Sequence, residues 1–236
     1  MLSKTWYNNI IRLTENFERK VGFTMILELP RKFNSPYVEV TKDGVLKIYQ
    51  NIRFEDLMYE LTYALKKKRC VYCNVKLKRN NSTLDHGFPR STGGISITNN
   101  LFPTCISCNS SKSDFTHFEF LQVLSCDSKK EKKVAIQEIR RRTEILKRKI
   151  GFKLPRKWVT FQFVDKIHYY KPAQELRGKK YNKIVRFYNQ YKKIPIPIIV
   201  DRNWKLLDGF NVILFAKDFN IKKIPVIRLE NVELVD

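Results

Sequence analysis

Apolar residues along this 236-residue chain recur with two periods, and the switches between them mark its segments. Trp6, Ile10, Leu13 and Phe17 fall four, three and four apart, so residues 3–19 predict a helix with one apolar stripe. From Phe23 to Gln50 the spacing shortens to that of strands. The runs are M-I-L-E-L, Y-V-E-V-T and V-L-K-I-Y, with Lys42-Asp43-Gly44 predicting a hairpin turn between the last two. Phe54, Leu57, Met58, Leu61 and Leu65 return to helical spacing, and the helix they predict ends in Lys66-Lys67-Lys68-Arg69. That basic end suits a helix C-terminus electrostatically, and equally suits a phosphate backbone. Residues 127–150 repeat the helical pattern through Ile136, Ile139, Thr143, Leu146 and Ile150, with Gly151 as the expected cap. Beyond Leu154-Pro155 the composition turns aromatic, then rich in isoleucine and proline. The expected architecture is α+β in four regions: an N-terminal helix-hairpin-helix region (1–69), a cysteine-bearing module (70–125), a basic connecting helix (126–151) and an α/β domain (152–236).

Charge narrows the partners. Lys and Arg number 46 against 23 Asp and Glu, a net charge of +23 with a pI near 9.9. Such an excess repels itself unless a polyanion is close, so nucleic acid is the expected partner. Residues 127–150 carry a net charge of +6. No apolar run approaches the roughly 18–20 residues that span a bilayer, and the first residues carry no apolar core of a secretory signal. Five cysteines, four of them in pairs, suit a reducing cytoplasm better than a disulfide framework. Cys126, the fifth, reads as a small buried apolar residue.

The four paired cysteines bring the chemistry. Cys70 and Cys73 form one C-x-x-C knuckle, Cys105 and Cys108 a second. Each pair has the bite of a tetrahedral zinc, and together they complete a closed four-sulfur structural site. The 31-residue loop between them (74–104) holds L-D-H-G-F-P-R-S-T-G-G and N-N-L-F-P-T, and the second knuckle continues as C-I-S-C-N-S-S-K. Knuckles alone fit a plain zinc ribbon, and an Asp-His pair alone fits a surface turn. Their joint order resembles the HNH endonuclease family in its zinc-knuckle form, over roughly a fifth of the chain. The resemblance implies a ββα-metal fold, a hairpin and a helix around one divalent cation. It implies His86 as general base, Asp85 and Asn109 as metal ligands, and Asn100 as the residue that orients the base. Asn100 lies 14 and Asn109 23 residues beyond His86, both comfortable for the family. A histidine titrating near neutrality can take a proton from water. Hard carboxylate and amide oxygens suit Mg²⁺ or Mn²⁺ rather than zinc. Zinc is therefore expected for folding, and Mg²⁺ or Mn²⁺ for catalysis.

The expected contacts to double-stranded DNA are Arg90 and Lys112 beside the signature, and Arg140, Arg141, Arg142, Lys147 and Arg148 on the basic helix. These residue types position a duplex without reading it. A solvated connecting helix is the alternative for 127–150. The last seventy or so residues resemble the ParB/sulfiredoxin-like superfamily: a strand at Phe163–Ile167, a hairpin, Asp208-Gly209, a helix, then a strand beginning I-P-V. In that family a Gly-x-x-Arg-type signature follows the Asp-Gly pair. Here Gly209, Phe210, Asn211 and Val212 stand there, without the arginine, so the domain reads as a scaffold for DNA contact, targeting or self-association. His117 and His168 read as ordinary polar or packing residues. The function expected is a cytoplasmic, metal-dependent DNA endonuclease of homing, phage, restriction or defence type. Double-strand cleavage by one module requires a homodimer or two successive nicks. The alternatives are a non-catalytic zinc-containing DNA-binding regulator using the ParB-like domain, and, more weakly, RNA as substrate.

Overall fold

The computed structural model describes residues 25–31, 33, 35–49, 52–66, 68–78, 80–155, 158–169 and 177–235. The helix predicted over 3–19 lies outside them. The strands are β1 (Val38–Val40), β2 (Leu46–Ile48), β3 (Ser82–His86), β4 (Leu101–Cys105), β5 (Thr160–Phe163), β6 (Ile198–Val200), β7 (Leu206–Asp208), β8 (Lys223–Arg228) and β9 (Val232–Leu234). The α-helices are α1 (Phe54–Leu65), α2 (Ile106–Lys112), α3 (His117–Leu124), α4 (Lys129–Lys149), α5 (Lys179–Tyr191) and α6 (Phe210–Asp218). The fold is α+β, as the pattern predicts.

The predicted hairpin forms between β1 and β2, with Val40 opposite Leu46. Thr41 closes its turn by donating to the Val45 carbonyl and accepting from the Val45 N–H. The other edge of β2 pairs in parallel with β9, more than 180 residues later, in the register Leu46–Val232 to Ile48–Leu234. Asn231 fastens the same end by exchanging hydrogen bonds with both backbone groups of Leu27. The run from Met25 to Leu29 makes one isolated bridge, Met25 to Leu229, rather than a strand.

The first core explains this closure. Leu57, Met58 and Leu61 of α1 are fully buried with Leu46, Ile97 and Leu101, against Phe152, Trp158, Ile199, Ile227 and Val232. Among the described residues, one apolar mass therefore joins the N-terminal segment, the loop and strand around Ile95–Leu101, and strands of the C-terminal part. A second core lies between the four-stranded sheet, ordered β5-β8-β6-β7, and α5 and α6. β6 and β8 run parallel, and α6 lies on the crossover between them. That helix buries Val212 to Ala216 almost completely. The order strand, hairpin, Asp208-Gly209, helix and strand is the one expected. The strand preceding it is Thr160–Phe163, because Val164–Lys166 coils into a 3-10 turn. Gly209 starts α6 at φ 107°, with Ile198 packed so close that a Cβ would collide with it.

A third, smaller core joins Cys70, Tyr72 and Leu77 to Phe115, Phe120, Leu121 and, on α4, Ile139. The helix α4 starts with a reciprocal capping box between Ser128 and Glu131 and stops before Gly151, at φ 93°. Its Ile139 and Thr143 face inward, as the spacing predicts. Among the described residues no helix is long and apolar enough to cross a membrane.

Candidate functional site

The four cysteine sulfurs converge. Their ligand atoms lie within 4.8 Å of one another, and Cys73 Sγ is 3.8 Å from Cys105 Sγ. Four sulfurs at zinc's bond length of about 2.3 Å would stand roughly 3.8 Å apart, so the cluster fits the ion in size as well as in chemistry. Four thiols this close cannot all ionise without a cation. The Cys108 thiol is pushed far up, by burial and then by its neighbours Cys105, Cys70 and Cys73. Cys105 also caps α2, its Sγ accepting from the Cys108 N–H at 3.4 Å. The knuckles thus pin the end of β4, the start of α2 and the turn at 70–73 to one point. Among the described residues this is the one cluster of three or more metal-ligating side chains that close together. Cys126 stays outside it. Its thiol is half-buried and donates to the Gln122 carbonyl, rather than sinking into a core as expected.

β3 and β4 form the hairpin, with Asp85 opposite Phe102 and His86 opposite Leu101. Successive strand residues face opposite sides. The Asp85 side faces α2. There Asn109 Nδ2 donates to Thr83 Oγ1 at 3.4 Å, which places Asn109 beside the strand face that carries Asp85 two residues on. Asp85 is buried, and each of its oxygens has a donor: Lys112 Nζ at 3.0 Å and the Tyr72 hydroxyl at 2.8 Å. The Tyr72 hydroxyl, its proton given to Asp85, lies 3.2 Å from His117 Nδ1. His117 is thus no ordinary surface residue. It is buried, stacked on Phe102 at 5.2 Å and packed against Tyr72. Burial, and then the Lys112 charge, hold its ring neutral with a pKa of about 4.

Lys112 corrects a further expectation. It does not reach for phosphate but is fully buried, bonded to Asp85 and to the His86 carbonyl at 2.9 Å. Burial pushes the Asp85 carboxyl above its usual value and the Lys112 amine below its own, with each partner opposing the shift. A buried charge that loses its partner is costly. Lys112→Ala should lower unfolding stability by about 3–5 kcal/mol, read as a lower urea midpoint. Pairing it with Asp85→Leu should restore most of the loss. An unchanged midpoint in the single variant would mean that the ion pair is not formed.

The other side of β3 carries His86. Its Nε2 lies 2.9 Å from Ser96 Oγ. Burial, and then Arg90, push its pKa down to about 4, with Glu55 opposing. Asn100, expected to orient this ring, holds the loop instead. Its Oδ1 accepts from the Phe88 N–H at 2.7 Å, and its Nδ2 donates to the carbonyls of Phe88 and Ile95. The loop turns tightly because Gly94 has no side chain; a Cβ there would strike the Phe88 carbonyl. Arg90 pairs with Glu55 of α1. On α4, Arg141 and Arg142 pair with Glu138, and Arg148 with Glu144, all exposed. Arg140 and Lys147 line a cleft with Asp114 and Lys153. Exposed intrahelical pairs contribute little, so these cations can exchange partners for phosphate.

A divalent cation at Asp85 and Asn109 passes the test of donor chemistry. Both supply hard oxygens, and each Asp85 oxygen keeps acceptor capacity after one hydrogen bond.

No curated protein matches the chain. One solved structure, titled "Structure of the C2221 form of Pnob8-like ParB-N domain", is 17% identical. It covers 30% of this chain and 28% of its own, with a TM-score of 0.26. The module built by the two knuckles, the hairpin and the helix α2 has the firmer match: residues 70–125 fit the family model described as HNH endonuclease.

Proposed function

We propose that the chain is a metal-dependent DNA endonuclease that hydrolyses phosphodiester bonds at His86. One observation carries this reading: the HNH match and the cysteine cluster enclose an intact set of Asp85, His86 and Asn109 on one hairpin and its helix. His86 takes a proton from a water molecule as that water's oxygen attacks phosphorus from the side opposite the departing 3′ oxygen. The new P–O bond forms as the P–O3′ bond breaks, and the leaving oxygen takes a proton from solvent. A divalent cation held by Asp85 and Asn109 would polarise the phosphate and offset charge on the leaving oxygen. Lys112 and Tyr72 fix the Asp85 carboxylate, and Asn100 fixes the loop after His86. The +23 net charge supplies attraction to the backbone, with Arg90, Arg140, Arg141, Arg142, Lys147 and Arg148 as its contacts near the module.

A second reading is a zinc-containing DNA-binding regulator that does not cut. It draws on the two donors that already occupy the Asp85 oxygens.

The test is a supercoiled plasmid incubated with the protein and Mg²⁺ or Mn²⁺. A single module should give nicked circles first, and EDTA should stop the reaction. Tight, salt-sensitive DNA binding without product, on plasmid and on genomic DNA from several sources, would favour the regulator.

A further inference from the structure

Nothing in residues 70–125 except Ser96 meets the His86 ring by a hydrogen bond among the described contacts. Ser96 is itself buried, and its partner comes from outside the module. Its Oγ lies 3.3 Å from Oε1 of Glu55, in the first turn of α1. Glu55 is anchored in turn, because the same oxygen accepts from the Tyr59 hydroxyl at 3.0 Å and from Arg90. Burial works against ionisation of Glu55, but Arg90 and Tyr59 outweigh it and hold the carboxyl below its usual range. The group is a carboxylate at neutral pH.

That chemistry gives the chain of bonds a direction. A carboxylate only accepts, whereas a serine hydroxyl has one proton to give. The charged acceptor is the stronger one, so the Ser96 proton points at Glu55. Ser96 Oγ can then meet His86 Nε2 only as an acceptor, and Nε2 must carry the ring proton. A neutral imidazole has one N–H and one lone pair, so the lone pair falls to Nδ1.

We propose that Glu55, acting through Ser96, is a positioning residue that holds His86 in the Nε2–H tautomer and leaves Nδ1 as the atom that receives the proton from water. The device joins the helix before the first knuckle to the hairpin. It rests on the nuclease reading for its catalytic meaning, but not for its geometry. It also assigns α1 a part in the site that its apolar stripe does not suggest, since Phe54, Leu57, Met58 and Leu61 face the core while Glu55 faces Ser96.

The experiment is a long-range ¹H–¹⁵N correlation spectrum of the full-length zinc-loaded protein labelled in its three histidines. His86 is assigned by the signal lost in His86→Ala. The parent should show the Nε2–H pattern. Glu55→Gln and Ser96→Ala should each convert it to a mixture of tautomers, while the His117 signal stays unchanged. In the plasmid assay, kcat should fall about tenfold, the effect of one hydrogen bond, with KM little changed; Ser96→Thr should retain the parent's tautomer. An Nδ1–H ring in the parent would overturn the proposal. So would a tautomer that neither variant alters. A protein with the expected tautomer that cuts no DNA would sink the nuclease reading and leave the relay standing. One that cuts with the opposite tautomer would do the reverse.

Discussion

His86→Ala should reduce plasmid nicking by roughly 10²–10⁴-fold, the usual contribution of a positioned general base. The loss should fall on turnover. The ring is held by one side-chain hydrogen bond, to Ser96, and Ser96 keeps Glu55 as a partner when the ring is gone. The hairpin itself is set by its register with β4 and by the knuckles, neither of which uses the imidazole. Zinc content and melting temperature should therefore stay near those of the parent. DNA affinity at fixed salt should also hold, because the cations proposed to contact phosphate lie on other residues. Single-turnover cleavage, metal analysis and a binding isotherm measured together check all of this. Cleavage at the parent's rate would remove His86 from the base role.

Cys105→Ser should fail differently, by losing its metal and its fold. Serine is itself a good N-cap, so the start of α2 keeps an acceptor and the change isolates the fourth sulfur. Structural zinc contributes about 10–16 kcal/mol in small zinc-finger peptides, comparable to the whole stability of a typical domain, about 5–15 kcal/mol. The third core is built directly on Cys70, with Tyr72 and Phe120 in edge-to-face contact at 4.9 Å. Its collapse should release Tyr72, and with it the support of Asp85. Zinc near zero and a sharply lower melting temperature are expected, with chelation of the parent producing the same state. A variant that melts like the parent and keeps its metal would show that these four sulfurs do not hold one ion.

Short-range order was legible in the sequence, and long-range pairing was not. The apolar spacing from Phe54 to Leu65 predicts α1, although the helix stops at Leu65 rather than running into Lys66-Lys67-Lys68-Arg69, and that from Ile136 to Ile150 predicts α4, because each stripe reflects one buried face. The C-x-x-C pairs predict the sulfur cluster because a tetrahedral site demands that bite. Lys112 eluded the pattern: a lysine reads as surface until Asp85, 27 residues earlier, is known to lie beside it. Glu55 and Ser96 are 41 residues apart, and nothing periodic links them. Asn100 was sought at the ring because the family signature links the two, whereas its amide is consumed by backbone groups of Phe88 and Ile95. The pairing of β2 with β9 has no local signal, since three-residue strands carry too little alternation to name a partner.

That last pairing governs how the protein can be made. Residues Leu46 to Ile48 and the buried face of α1 leave the ribosome well before their closing strand, Val232–Leu234. Until that strand is synthesised, Leu57, Met58 and Leu61 lack part of their cover. Domains usually fold as units during synthesis, N-terminal first, but here the first core cannot finish before β9 is made. A stop codon ahead of Val232 would leave the module of residues 70–125 on an open, apolar scaffold, exposed to chaperones and proteases.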